Sequence, residues 1–464
     1  NMTDDIKERF ISSFSVPSKP YILWKLVFAK VFKDKGGFDI VIGNPPYLEA
    51  RNENFPDWEK ELLQKLLRER YGKKFALIPR GSDLLIYFFE LSLRLIKKTG
   101  INSFITQNSW LDTEYGSQFQ KYLLKTTNVL AILDSDYKAF ETANINTVIT
   151  FFEGNQGCKK DIVFARSHKW FGEYYFPTKN NEKENPEFVT FKKFARDDNL
   201  INSNKWGFLF NSDIEFIKLI GTLNNKGKKQ LPWLKIGQGL NITKDHTYNT
   251  PDKLTSADAE YIPYLNVDEC GYYVWDTSNT FLFVNTKMTL EQEQSYKNQG
   301  YKIFDEKGCK RKRPALILPR GIGAKHFCSI NKNNGYSASC VDIYVDKEES
   351  VRNLWLFMNS TLFWLLREIS GRKSLGGGML KAEAVDLKQF PLYFDFNQNE
   401  KIDALINESI DRKVLNAVEE INTEFHQKID ALLYSLLDIS DDIQVYIHDM
   451  FVHKFNERTK KSTT

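Results

Sequence analysis

The chain has 464 residues, enough for two or three domains with their own cores, and its 35 Phe, 21 Tyr and 9 Trp exclude a disordered polymer. A formal net charge of +4 is too small to argue for a nucleic-acid partner by itself. Residues 1–20 are polar and unlike a secretory leader, and the apolar runs 84–89 and 354–366 are interrupted at Glu90, Asn359 and Arg367, too soon to span a bilayer.

In chain order, residues 1–37 form a lead-in that ends in Trp24-Lys25-Leu26-Val27-Phe28 and Val31-Phe32. Phe38–Gly43 is a β-branched run closed by glycine and predicts a buried strand. A helix is expected over 58–69. A second runs over 82–98, with Ser82 as N-cap, apolar residues nearly all round, and Lys97, Lys98 and Gly100 at its end. A strand over 101–106, a helix over 114–126 and strands over 129–134 and 146–153 follow. This alternation predicts an α/β domain with a largely parallel sheet. Only residues 135–144 separate the last two strands, too few for a crossover helix, so they are expected to pair antiparallel as a hairpin-like edge.

Residues 155–230 are charged and irregular, with a short helix near 212–223 before Lys226, Lys228 and Lys229. From Leu231 to Phe394 short apolar runs and frequent turn residues predict a β-rich, loop-rich second domain. The tail from 399 to 460 reads as helical, with Ile402, Leu405, Ile406 and Ile410 on one stripe. The expected divisions are therefore 1–170, a connector 171–230, 231–395 and 396–464. The five cysteines, Cys158, Cys270, Cys309, Cys328 and Cys340, are odd in number and scattered, which fits reduced thiols in a cytoplasmic protein better than disulfides or a zinc site.

Asn44-Pro45-Pro46-Tyr47 carries the most chemistry. Asn44 and Pro45 each precede a proline and are biased towards extended backbone. Prolines do not donate main-chain hydrogen bonds, but their carbonyls accept. The loop thus offers an Asn side-chain oxygen and a Pro carbonyl as neighbouring fixed acceptors, with an aromatic ring beside them. An exocyclic amine of a flat base has two N–H donors and a π-face. Two acceptors holding both donors draw the nitrogen towards tetrahedral geometry and free its lone pair. The loop also leaves the carboxyl end of a strand, where ligands bind in open α/β sheets.

These residues resemble the amino-methylating, S-adenosylmethionine-dependent methyltransferases, and most of all the adenine-specific DNA enzymes of bacterial type II restriction–modification systems with the TaqI-type order of motifs. Trp24–Phe28 ahead of Phe38–Gly43 is similar to the lead-in of the large type IIG enzymes. Asp83–Glu90 resembles the next motif, Gly100–Leu111 the glycine–strand–loop after it, and Phe140–Phe152 the hairpin whose aromatic contacts a flipped base. The resemblance implies part of a Rossmann-like methyltransferase sheet, a β-rich TaqI-like target-recognition domain and a helical C-terminal tail. It makes Asn44 and the carbonyl of Pro45 amine acceptors, Pro46 the stiffener of the loop, and Tyr47 and Phe140 the rings stacking on the base. Asp83 takes a role at the cofactor–target boundary or simply caps its helix. Such enzymes rotate the target base out of the duplex at a cost of a few kcal/mol, and need no metal to methylate it.

In the resembled family the glycine-rich cofactor loop lies well before this motif. Here only 43 residues precede Asn44, and their glycines are Gly36, Gly37 and Gly43. The expectation is a fragment or one part of a split enzyme, lacking the N-terminal cofactor-binding half or subunit, with weak cofactor binding and little methyl transfer alone. Region 231–394 resembles the recognition domain, and Arg311, Lys312, Arg313, Arg320, Arg372 and Lys373 are its candidate contacts to double-stranded DNA, since Arg bonds phosphate and the guanine edge. A DNA-binding specificity module serving a separate catalytic subunit is the alternative. Methylation of a protein glutamine or an RNA base fits the long basic second domain less well.

Overall fold

In the computed structural model the described residues are 22–460 apart from 50–51, 72–80, 137–138, 141–145, 155–160, 169–188, 197–200, 202–204, 229–230, 240–246, 249–260, 267–270, 277–279, 281, 286–312, 339, 346, 374–378 and 388–389. The chain divides into two units, residues 1–210 and 211–464.

The first unit opens with helices α1 (Trp24–Val27) and α2 (Ala29–Lys35). Trp24, Phe28 and Phe32 gather around Phe38, with ring centroids 6.3, 5.1 and 5.4 Å away. Gly36 ends α2 in the left-handed region. At Gly37, with φ of 153°, a Cβ would lie 2.7 Å from Leu95 O and Lys97 N, so no side chain fits. Strand β1 (Phe38–Gly43), helices α3 (Asp57–Tyr71) and α4 (Leu84–Leu95), strand β2 (Ile96–Gln107) and helix α5 (Glu114–Thr126) follow. Then come β3 (Asn128–Ser135), β4 (Thr147–Glu153), β5 (Ile162–Ser167), β6 (Val189–Phe194) and α6 (Trp206–Asn211).

The six strands lie in the order β1-β2-β4-β3-β5-β6. Pairs β1·β2 and β3·β5 are parallel, whereas β2·β4, β3·β4 and β5·β6 are antiparallel. The sheet is mixed and not largely parallel. The expected β3–β4 hairpin forms, but inside the sheet, because β4 also pairs with β2 along seven residues from Ile101↔Glu153 to Gln107↔Thr147. Strands β5 and β6 occupy part of the stretch read as irregular; charged residues such as Arg166 and Lys192 masked their alternation.

Two further readings are corrected. Strand β1 is not buried. It is an edge strand, and Ile40 and Ile42 are 67% and 80% exposed. Helix α4 stops at Leu95, so Lys97–Gly100 belong to β2, where Lys97 pairs with Asp39 of β1. The core packs on Phe89 of α4, whose ring lies 5.1–6.2 Å from those of Phe104, Trp110, Phe119 and Phe152. Edge and tilted packings of this kind add about 0.5–1.5 kcal/mol per pair beyond the area they bury.

In the second unit α7 (Ile214–Lys226) is capped by Asp213, which accepts from Phe216 N at 2.8 Å. Its strands are β7 (Lys235–Gln238), β8 (Thr247–Tyr248), β9 (Tyr261–Asn266), β10 (Val274–Trp275), β11 (Leu282–Asn285) and β12 (Leu316–Pro319). The series continues with β13 (Gly321–Ile322), β14 (Ser329–Asn331), β15 (Tyr336–Ala338), β16 (Cys340–Tyr344), β17 (Arg372–Lys373) and β18 (Leu380–Lys381). They form sheets ordered β10-β14-β12-β16-β7, β15-β9-β11-β8 and β13-β18-β17.

This region is not only strands and loops. Helices α8 (Glu348–Met358) and α9 (Thr361–Ser370) lie within it, and every residue of α9 is buried. Its polar residues Arg367, Glu368 and Ser370 are buried with the apolar ones, so the helix has no solvent face. The tail is helical as expected, in α10 (Asn399–Glu408), α11 (Glu424–Leu437) and α12 (Asp441–Lys460). Ile402, Leu405 and Ile406 are buried, while Ile410 lies past the end of α10 and is exposed. Lys226 donates to Leu437 O at 2.5 Å and pairs with Asp438 at 3.0 Å, so it ties two helix ends together. Cys328 and Cys340 are buried free thiols; the other three cysteines lie outside the described residues. No helix among the described residues is long and apolar enough to cross a membrane.

Candidate functional site

The strand directions decide what meets at the end of β1. Strand β2 is parallel to β1, β4 is antiparallel to β2 and to β3, and β5 is parallel to β3. The carboxyl ends of β1, β2, β3 and β5 therefore collect on one edge of the sheet, as open α/β sheets use for ligands. Asn44–Tyr47 leave β1 there, Asn108–Leu111 leave β2, and the connection bearing Phe140 leaves β3.

Asn44 and Pro46 are exposed, Pro45 is buried, and Tyr47 and Phe140 are half-buried. The Tyr47 and Phe140 rings meet edge to face, with centroids 6.1 Å apart at 61°. Residues 93 positions apart in sequence thus share one aromatic corner. The Tyr47 hydroxyl is buried without a hydrogen-bond partner among the described residues, and burial raises its pKa above the usual phenol value. Leu84 N donates to Leu48 O at 3.0 Å, which fastens the loop to the start of α4.

Asp83, and not Ser82, is the N-cap of α4, yet its side chain makes no capping bond. Its buried carboxylate accepts from Gln107 Nε2 at 2.7 Å, Tyr115 Oη at 2.5 Å and Ser109 Oγ at 3.5 Å. Burial, and then the Asp83 charge, drive the Tyr115 pKa far up, so Tyr115 keeps its proton and donates. Gln107 and Ser109 belong to the Gly100–Leu111 motif but no role follows for them from sequence, and Tyr115 was missed; the polar run Thr106-Gln107-Asn108-Ser109 was the available signal. Gln120 holds this turn by donating to Trp110 O at 3.0 Å and Leu111 O at 3.1 Å.

A second group braces the start of the Phe140 connection. Asp136 N donates to Ser167 O at 2.9 Å, and the Asp136 carboxylate meets His168 Nδ1 at 2.7 Å and Arg166 Nε at 3.6 Å. His168 Nε2 lies 3.1 Å from Thr190 Oγ1.

In the second unit, Arg320 immediately precedes β13, and Arg372 and Lys373 form β17 of the same three-stranded sheet. The register sets Lys381 opposite both Gly321 and Arg372, and Lys381 was missed in the sequence. Arg320 Nε lies 3.8 Å and Lys381 Nζ 3.0 Å from Glu383 Oε1, while Gln238 Nε2 donates to Oε2 at 2.8 Å. Burial opposes ionisation of Glu383, but these partners outweigh it and hold its carboxyl below the usual range. The Arg313 guanidinium lies 3.4 Å over the Tyr336 ring. Arg311 and Lys312 lie outside the described residues. No group of three or more His, Cys, Asp or Glu side chains suited to a metal occurs among the described residues.

Comparison with known proteins bears directly on the loop. Residues 4–140 match the Eco57I restriction-modification methylase family. The matched stretch holds Asn44–Tyr47, Asp83 and Phe140. Among curated relatives, the type II methyltransferase M.BstVI of Geobacillus stearothermophilus is 28% identical over 114 residues, covering 25% of this chain and 18% of that protein. The type II methyltransferase M.XamI of Xanthomonas campestris pv. amaranthicola is 30% identical over 119 residues, covering 25% of this chain and 21% of its own length. The chain thus matches about a fifth of the length of these relatives. Among solved structures, the type IIL restriction-modification enzyme MmeI, determined in complex with DNA, superposes with a TM-score of 0.51 over 96% of this chain and 61% of its own, at 12% identity. At that identity the likeness concerns fold alone.

Proposed function

We propose that this chain is the target-base and DNA-recognition portion of an S-adenosylmethionine-dependent adenine N6-methyltransferase of a restriction–modification system. The observation that carries the reading is the Tyr47–Phe140 corner, 6.1 Å between centroids, set beside exposed Asn44 on the ligand edge of the sheet. An adenine turned out of the duplex stacks on this corner, and base–aromatic stacking contributes about 1–3 kcal/mol per base. Asn44 Oδ1 and the Pro45 carbonyl accept the two N–H groups of the exocyclic amine. Asp83 with Gln107, Ser109 and Tyr115 fixes the start of α4, and through Leu84 N and Leu48 O the height of the loop.

S-adenosylmethionine, when bound, supplies an electrophilic methyl group on a sulfonium. The described residues fit the amine side of that reaction. They do not fit the donor side, because the Asp83 carboxylate already accepts from three neighbours. We place the donor side in a further methyltransferase part that docks along β1. The support is that β1 is an open sheet edge with Ile40 and Ile42 exposed, next to the loop. The same edge favours the second reading, a specificity module serving a separate catalytic subunit.

In this proposal residues 1–170 are the target-base half, 171–230 a connector, 231–395 the recognition domain and 396–464 its helical tail. Selection from a randomised duplex pool tests it. One enriched motif with adenine at a fixed position, bound with salt-sensitive affinity, is expected. No enrichment over bulk duplex contradicts it.

A further inference from the structure

A run of backbone carbonyls beside the cationic sheet is held by two buried guanidiniums and two main-chain amides. Pro319 O accepts from Arg367 Nη2, and Arg320 O from Ala382 N at 2.9 Å. Ile322 O and Gly323 O accept from Arg458 Nη1 at 3.2 Å and Nη2 at 2.9 Å. Ala324 O accepts from Ala417 N at 2.8 Å. Five carbonyls of a six-residue segment are therefore fixed, two of them by one guanidinium on the last helix, α12.

Arg458 is itself oriented. Its Nε donates to Glu368 Oε2 at 2.8 Å and its Nη2 to Oε1 at 2.7 Å, the two-pronged geometry in which arginine is most directional. His326 Nε2 donates to the same Oε1 at 2.7 Å. Glu368 is 3% exposed, Arg458 4%, and His326 and Arg367 0%. Burial of such ions is costly, and fully apolar replacements are often as stable, so what the network supplies is one fixed conformation more than net stability. Burial keeps His326 neutral near pH 7, its pKa lowered to about 4, so it donates to Glu368 without adding charge to the network.

We infer that Arg458 is a positioning residue for nucleic-acid contact: through it α12 clamps Ile322 and Gly323, so that Arg320 and the β13-β18-β17 sheet meet a phosphate backbone in one fixed geometry. This deepens, and rests on, the DNA reading of the second unit. It gives the helical tail a place in recognition, because Arg458 reaches the one small sheet that gathers Arg320, Arg372, Lys373 and Lys381. Phosphate contacts set register, and a loosened segment loses affinity without losing charge.

The test compares the full chain with Arg458→Lys, which keeps the charge and loses the fork, and with the double variant Glu368→Gln/Arg458→Met. The second leaves His326 an acceptor and no unpaired ion at position 458, which keeps the experiment informative if the lysine variant misfolds. Duplex affinity against salt, the urea midpoint and amide exchange at Gly321–Ala324 are read together. Expected are a parental urea midpoint in at least one variant, faster exchange confined to those amides, and roughly tenfold weaker duplex binding with an unchanged salt slope. A folded variant with parental duplex affinity overturns the positioning role alone. A parent chain without salt-dependent duplex binding overturns the DNA reading and this inference with it.

Discussion

The first unit holds its Asn44–Tyr47 loop through neutral donors gathered on one buried carboxylate, Asp83, whereas the second buries cations together with a carboxylate to hold backbone. Around Asn44–Tyr47 the supports are an amide, a hydroxyl and a phenol on Asp83, together with one main-chain bond from Leu84 to Leu48. Around Pro319–Ala324 they are two guanidiniums and a carboxylate with almost no exposure. On the proposed reading, the loop that receives a flat base is held through hydrogen bonds to neutral groups, with its one charge, Asp83, kept at the start of α4. On the same reading, the segment that meets phosphates is held by two buried guanidiniums. The contrast also separates the cost of change: groups in the first site are tuned for contact, while those in the second are needed for the fold as well.

The sharpest way to break the comparison is Glu368→Ala. It strands Arg458 and leaves His326 without its acceptor, and removal of one member of a buried pair costs about 3–5 kcal/mol. Urea unfolding should show a lower midpoint for the second unit; a change within error would mean that the network carries no stability.

Acid should sharpen it next. His326 has an unfolded value of 6.5 and a folded one of about 4, lowered by burial. Between these values the unfolded chain takes up a proton that the folded chain does not, so stability falls as pH drops from 6.5 towards 4. His426, lowered by burial to about 3, adds in the same direction, while Asp430, raised by burial to about 7, opposes by gaining stability as pH falls. His326→Gln should flatten part of the loss between pH 7 and 5, measured by urea midpoints at each pH. An unchanged profile would remove His326 from the account of acid lability.

The smallest expected effect on stability is at the exposed edge. Ile42→Thr should leave unfolding within about 0.5 kcal/mol of the parent, as for surface positions in general. The same change should weaken capture of a donor-side methyltransferase part in a pull-down, if β1 is its dock. Equal capture by parent and variant would place that interface elsewhere.

Much of the first site was legible in sequence because it depends on local grammar. Two prolines after Asn44 fix the loop, a β-branched run precedes it, and Asp83 and Phe140 stand at motif positions. What strand order adds was not legible. The run Phe38–Gly43 has the composition of a buried strand, and only its place at the sheet edge exposes Ile40 and Ile42. Likewise β4 enters the sheet between β2 and β3, a choice of long-range pairing that a short connection does not specify. In the second unit the cations Arg320, Arg372 and Lys373 were visible one by one, but the sheet that gathers them, and the reach of Arg458 from 135 residues away to Gly323, depend on tertiary contacts.

The central claim is that Tyr47 and Phe140 form the seat of an extruded adenine. Fluorescence of 2-aminopurine placed at the adenine of the enriched duplex motif tests it most directly. The expected result is an increase on binding of the parent chain, strongly reduced in Tyr47→Ala and in Phe140→Ala while duplex affinity falls by no more than the roughly 1–3 kcal/mol that stacking supplies. An increase that both variants reproduce in full would contradict the claim.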